Sequence, residues 1–85
     1  MDSSIISNVL EILNANLEGI ELSSENIETD LSQHGMDSIT FITIVVSMEE
    51  KFDIEVPDEK LLITEMNTIK KMVDVVTLAL ENSNK

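Results

Sequence analysis

The stretch Ser38-Ile39-Thr40-Phe41-Ile42-Thr43-Ile44-Val45-Val46-Ser47-Met48-Glu49-Glu50-Lys51-Phe52 decides the fold. β-branched residues dominate it, and their propensity favours a strand. The spacing argues otherwise. Thr40, Thr43, Ser47 and Glu50 recur at intervals of three, four and three, which traces one face of a helix. Strict alternation fails at Phe41-Ile42 and again through Ile44-Val45-Val46, and the run is long for a strand in a chain of 85 residues. The reading is a helix over 38–51. Phe41, Ile44 or Val45, Met48 and Phe52 then form a stripe that faces a core. Ile39, Ile42 and Val46 form a second apolar strip beside it, which either lies under the preceding loop or stays open as a docking surface.

Upstream, Ile6, Leu10, Leu13 and Leu17 fall at helical spacing with Ile5, Val9 and Ile12 beside them, predicting a helix over 4–17. Ser3 or Ser4 can cap its start, and Gly19 lies where it should stop. Residues 18–36 form a long connection rich in Ser, Glu, Asn and Thr. Its Ile20, Leu22, Ile27 and Leu31 predict a loop pinned to the core, and loops of such length are often functional.

Downstream, Asp53-Ile54-Glu55-Val56 reads as an extended link, because Pro57 biases Val56 away from helix. Pro57 suits the first position of a short helix over 57–63, with Asp58 and Glu59 favourable at its N-terminus and Leu61, Leu62 and Ile63 as core contacts. A last helix over 68–81 is capped by Asn67 or Thr68 and buries Ile69, Met72 or Val73, Val76 and Leu80. Lys70, Lys71 and Asp74 lie off that stripe, and the tail from Asn82 should fray. The expected fold is all-α: a small four-helix bundle of three longer helices and one short one, with a long loop between the first two.

Composition narrows the function. One core is all that 85 residues can fill, so residues 1–85 are expected to form a single domain, a monomer with a radius of gyration of about 12 Å. No run is long and apolar enough to span a bilayer, and no basic start marks a secretory signal, so the expected location is cytoplasmic. Cysteine is absent, which excludes disulfides, thiolate catalysis and the common zinc clusters. Seventeen acids against five lysines give a net charge of −12, and no Lys or Arg precedes Lys51. Direct binding to nucleic acid or to an anionic membrane is disfavoured, whereas a basic partner surface would be steered towards the first half of the chain.

Little in the chain suits catalysis. His34 is the only histidine and precedes Gly35 in a polar loop, where a solvated turn residue is the simpler reading than a catalytic base. Glu25, Glu28 and Asp30 do not match the oxygen ligands and central glycine of a calcium loop, and no metal site is expected. Met48, Met66 and Met72 read as core filler. One position differs. In Gly35-Met36-Asp37-Ser38-Ile39, Gly35 permits a sharp turn, Asp37 can cap the helix, and Ser38 falls in its first turn. A phosphate ester on that hydroxyl would sit favourably near free backbone N–H groups and the positive end of the helix dipole.

From Gly35-Met36-Asp37-Ser38-Ile39 through Met48-Glu49-Glu50-Lys51-Phe52-Asp53-Ile54-Glu55-Val56-Pro57-Asp58, the sequence resembles the acyl carrier protein family, which includes peptidyl and D-alanyl carriers. The shared pattern is Gly-x-Asp-Ser-Leu/Ile, a helix ending in acids, an aromatic residue and an Ile-x-Ile/Val-Pro-like link. The resemblance implies a carrier and not an enzyme. It implies that Ser38 is the attachment point for phosphopantetheine, delivered from coenzyme A by a phosphopantetheinyl transferase. Acyl or aminoacyl intermediates would then be held as thioesters on the arm and passed to loading and synthase enzymes with basic docking surfaces.

Recognition in such carriers runs through the second helix. Asp37 and Glu50 would meet basic partner residues, and Ile39, Ile42 and Val46 would supply apolar contact, with Thr40 and Thr43 on the same surface. Fatty-acid-synthesis carriers usually place acids where this chain has Thr40 and Thr43, so the resemblance is nearer to carriers dedicated to polyketide, nonribosomal peptide or related pathways. The short termini predict a free-standing carrier, with a carrier domain cut from a larger synthase as the open alternative. Two other readings compete: an acidic helical interaction module, such as an adaptor or DNA mimic, in which Ser38 only caps a helix, and a serine hydrolase relying on His34.

Overall fold

The computed structural model describes residues 3–83. Three α-helices form the frame: α1 (Ser3–Asn16), α2 (Ser38–Phe52) and α3 (Ile69–Ser83). No strand occurs among the described residues, so the chain is all-α. Each long helix lies within two residues of its predicted span. The radius of gyration is 11.7 Å. α1 packs against both α2 and α3, which touch each other less.

Helical periodicity accounts for the core. Ile5, Val9, Ile12, Leu13 and Leu17 of the first segment are buried, and Ile6 and Leu10 pack half-buried at its flank. They meet Phe41, Ile44, Val45 and Met48 of α2 and Ile69, Met72, Val73, Val75, Val76 and Ala79 of α3. No polar side chain is buried among the described residues. Ser3 and Ser4, the expected caps, are instead the first two residues of α1. At the other end, α3 continues through Asn82 and Ser83, past the expected fraying point; Asn84 and Lys85 lie outside the described residues.

α2 stops because Asp53 turns left-handed (φ 52°, ψ 54°), sending its N–H back to Glu49 O while the Ile54 N–H reaches the same oxygen at 3.1 Å. Glu49 Oε2 accepts the Val56 N–H at 2.9 Å, which fixes the link that follows. Thr68 starts α3, its Oγ1 accepting the Lys71 N–H at 3.1 Å.

The long connection is pinned as expected. Leu22 and Leu31 are buried, and Ile20 and Ile27 pack against the core. Asn14 clamps Leu22 twice, Oδ1 accepting its N–H at 2.8 Å and Nδ2 donating to its carbonyl at 3.1 Å. Further along, the Leu31 N–H donates to Asn67 O at 2.7 Å and the Lys70 N–H to Ile27 O at 2.9 Å, joining the loop to the start of α3.

The short helix expected over 57–63 is not there as one element. Two separate 3-10 turns, Asp58–Lys60 and Ile63–Glu65, take its place. Leu61 (φ −81°, ψ 46°) leaves the helical region and Leu62 is extended (φ −127°, ψ 137°). That backbone lets Leu61 and Ile63 both pack on the core while Leu62 turns outward, an in-out alternation that a helix cannot give to three successive residues. A helix of two turns has too little internal support to resist. Leu62 is accordingly not a core contact.

Candidate functional site

The site is built by the turn that leads into α2. Asp30 opens a 3-10 turn, Leu31–His34, by accepting the Ser32 N–H at 3.1 Å and the Ser32 hydroxyl at 2.6 Å. The Ser32 hydroxyl holds the Asp30 carboxyl below its usual 3.8, against a smaller opposing effect of burial and with help from the Ser32 amide, Asn67 and Lys71. Gly35 closes the turn at φ 94°, ψ 5°, a backbone that a side chain would strain. Met36 is buried and anchors the turn in the core. His34 is exposed at the end of the turn, and no hydrogen bond links it to Ser38 among the described residues.

Asp37 is extended (φ −85°, ψ −177°) and caps α2, its Oδ1 accepting the Thr40 N–H at 2.8 Å and its carbonyl the Phe41 N–H at 2.8 Å. The Thr40 backbone hydrogen bond draws the Asp37 carboxyl below its usual 3.8, the Thr40 side chain and the Ile39 amide adding to it and burial opposing. Ser38 is therefore the first residue of the helix and not its cap. It is exposed, and its hydroxyl has no hydrogen-bond partner among the described residues. A phosphate ester placed on that oxygen fits the surroundings: it would stand in solvent, beside the first amides of α2.

Beyond Ser38, the outer face of α2 is apolar and uncharged. Ile39, Ile42 and Val46 are 79%, 49% and 45% exposed, so the preceding loop does not cover this strip. Thr40 is half-buried and Thr43 exposed. The Thr43 and Ser47 hydroxyls donate back to Ile39 O at 3.1 Å and Thr43 O at 2.9 Å, which satisfies both locally. No ionisable side chain occurs between Ser38 and Met48. Asp37 and Glu50 bracket the strip, about 20 Å apart along the helix axis. Glu50 is exposed, whereas the Glu49 carboxylate is committed to Val56.

A groove of about 340 Å³ opens next to Ser38, between Phe41 and Ile42 on α2 and the 61–64 segment. Leu62, 57% exposed, stands on its far side. Sequence reasoning missed this residue, because only the extended backbone at Leu62 turns its side chain outward.

Comparison with known proteins agrees with this geometry. The family model described as "Phosphopantetheine attachment site" matches residues 3–76. The chain is 36% identical over 73 residues to the acyl carrier protein of Kocuria rhizophila, covering 85% of this chain and 83% of that protein. It is 39% identical over 74 residues to the D-alanyl carrier protein of Lactobacillus helveticus, covering 87% and 91%. A chain in the solved structure of the ishigamide ketosynthase/chain length factor superposes with a TM-score of 0.73 at 20% identity, covering 94% of this chain and 99% of that one. That last likeness bears on the fold. The alternative of Ser38 as a mere helix cap gives way, because Asp37 does the capping. The chain belongs to the phosphopantetheine-binding family of acyl carrier proteins, and is a carrier bearing that prosthetic arm, not a catalyst.

Proposed function

We propose that Ser38 is the attachment point of the arm. The observation that carries this is an exposed, unpartnered hydroxyl on the first residue of α2, with capping left to Asp37. In the modification, Ser38 Oγ forms the new P–O bond, the pyrophosphate bond of coenzyme A breaks, and adenosine 3′,5′-bisphosphate leaves. The hydroxyl proton passes to a base of the phosphopantetheinyl transferase. Once attached, the arm supplies a thiol that holds the load as a thioester. Gly35 and the buried Met36 fix where the root of the arm stands, and Asp37 orders the amides beside it.

The docking surface in this reading is α2 itself. Ile39, Ile42 and Val46 meet apolar partner surface, Thr40 and Thr43 lie among them, and Asp37 and Glu50 pair with basic residues at either end. The uncharged face supports a carrier of a dedicated pathway, polyketide, nonribosomal peptide or related. Acyl and D-alanyl carriers among its relatives span acyl and aminoacyl loads alike. A single core shared by all three helices supports residues 1–85 acting as one carrier unit; a monomer in the cytoplasm completes this reading.

The test is incubation with coenzyme A and a broad-specificity transferase. Mass spectrometry of the wild type should show one phosphopantetheinyl addition, and Ser38→Ala should show none. Modification persisting in Ser38→Ala, or absent from the wild type across several transferases, sinks the assignment.

A further inference from the structure

Residues 61–64 form one wall of the groove, facing Ser38, Phe41 and Ile42. This wall has little backbone support. Its hydrogen bonds are local: the Leu61 N–H to Asp58 O at 3.1 Å, the Glu65 N–H to Leu62 O at 2.9 Å and the Met66 N–H to Ile63 O at 3.1 Å. The ion pair between Lys60 and Glu65, at 3.7 Å, also stays within the segment.

Among the described residues one hydrogen bond ties the wall to a long helix. Lys71 Nζ, from the first turn of α3, donates to Thr64 O at 3.0 Å and to Asn67 Oδ1 at 3.1 Å. Asn67 is braced in turn against the loop that leads to Ser38. Its carbonyl accepts the Leu31 N–H at 2.7 Å, and its Nδ2 donates to Asp30 Oδ1 at 3.2 Å. In a chain with seventeen acids, the ammonium group bonds two neutral oxygens. It is a charge-assisted donor to a backbone carbonyl of the wall.

We propose that Lys71 is a latch on the groove wall. With Nζ seated on Thr64 O, residues 61–64 lie against the rest of the molecule. With it released, the wall moves outward and the groove beside Ser38 widens to admit an apolar group. The consequence for cargo rests on the carrier reading of Ser38; the latch itself does not.

The experiment uses the unloaded full chain. Lys71→Met keeps the aliphatic stem and removes the donor. Amide hydrogen exchange at Glu65 and Met66 should accelerate about three- to tenfold, while Val73 and Val76 in α3 keep their wild-type rates. Binding of the neutral apolar dye Nile red should rise in parallel. Lys71→Arg should hold both readouts near wild type, and so should Lys70→Met, which makes the same charge change without touching the wall. Unchanged exchange at Glu65 and Met66 overturns the proposal. So does equal acceleration in Lys70→Met, or acceleration of Val73 and Val76 in step, which would mark general loosening. Loading of Ser38 is read separately by mass, so either idea can fail while the other stands.

Discussion

Along α2, Phe41, Ile44, Val45 and Met48 are at most 3% exposed, whereas Ile39, Ile42 and Val46, a quarter-turn away, are roughly half exposed or more. The residue types are nearly the same on both faces. What separates them is what lies opposite: α1 and α3 on one side, and solvent beside Ser38 on the other. A small domain has little reason to leave three large aliphatic side chains in water on a helix that already fills its core. Their position next to an unpartnered hydroxyl, on a face free of charge in a molecule of net −12, is what the proposed docking surface rests on.

The sharpest way to break this contrast is to truncate each face in turn. Ile44→Ala should lower the unfolding free energy by about 2–5 kcal/mol, whereas Ile39→Ala should change it by no more than about 0.5 kcal/mol. Urea denaturation monitored by far-UV circular dichroism reads both. Equal losses would erase the distinction between the faces. Next in size is Val46→Asp, which removes apolar contact and inserts a charge. Turnover of the loaded carrier by its cognate enzyme should fall by about tenfold, equivalent to roughly 1.4 kcal/mol of contact, with the urea midpoint nearly unmoved. Gross unfolding would return Val46 to the core.

The smallest effect concerns the cap between hydroxyl and helix. The folded pKa of Asp37 lies below its usual 3.8, so its contribution to stability is complete above that value and fades as pH falls through the folded pKa. Asp37→Ala should therefore lower the urea midpoint at pH 7, and the gap from wild type should narrow in acid below the ordinary carboxylate range. A gap that widened in acid would contradict the hydrogen bond from Thr40.

Much of this was legible in the sequence because helical periodicity is a local signal. Thr40, Thr43, Ser47 and Glu50 overruled the strand propensity of their neighbours, and Gly35-Met36-Asp37-Ser38 announced the turn, the cap and the hydroxyl in order. The 57–63 segment was illegible for the opposite reason. Pro57, Asp58 and Glu59 make a good helix start, but the core demanded Leu61 and Ile63 together, and tertiary packing won over local preference. The contact of Asn67 with Asp30 spans 37 positions, so no spacing rule could reveal it. Met36 carried no local signal that its side chain would be the anchor beneath the turn.

Met36, Met48, Met66 and Met72 are all buried, at 2% exposure or less, in a chain without cysteine. The sulfur atoms of these four methionines are thereby shut away in hydrocarbon, where peroxide reaches them slowly. With no thiol of its own, the polypeptide also cannot steal an activated load by thioester exchange. The reactive sulfur of the working carrier arrives with the arm, and the scaffold around it stays chemically silent.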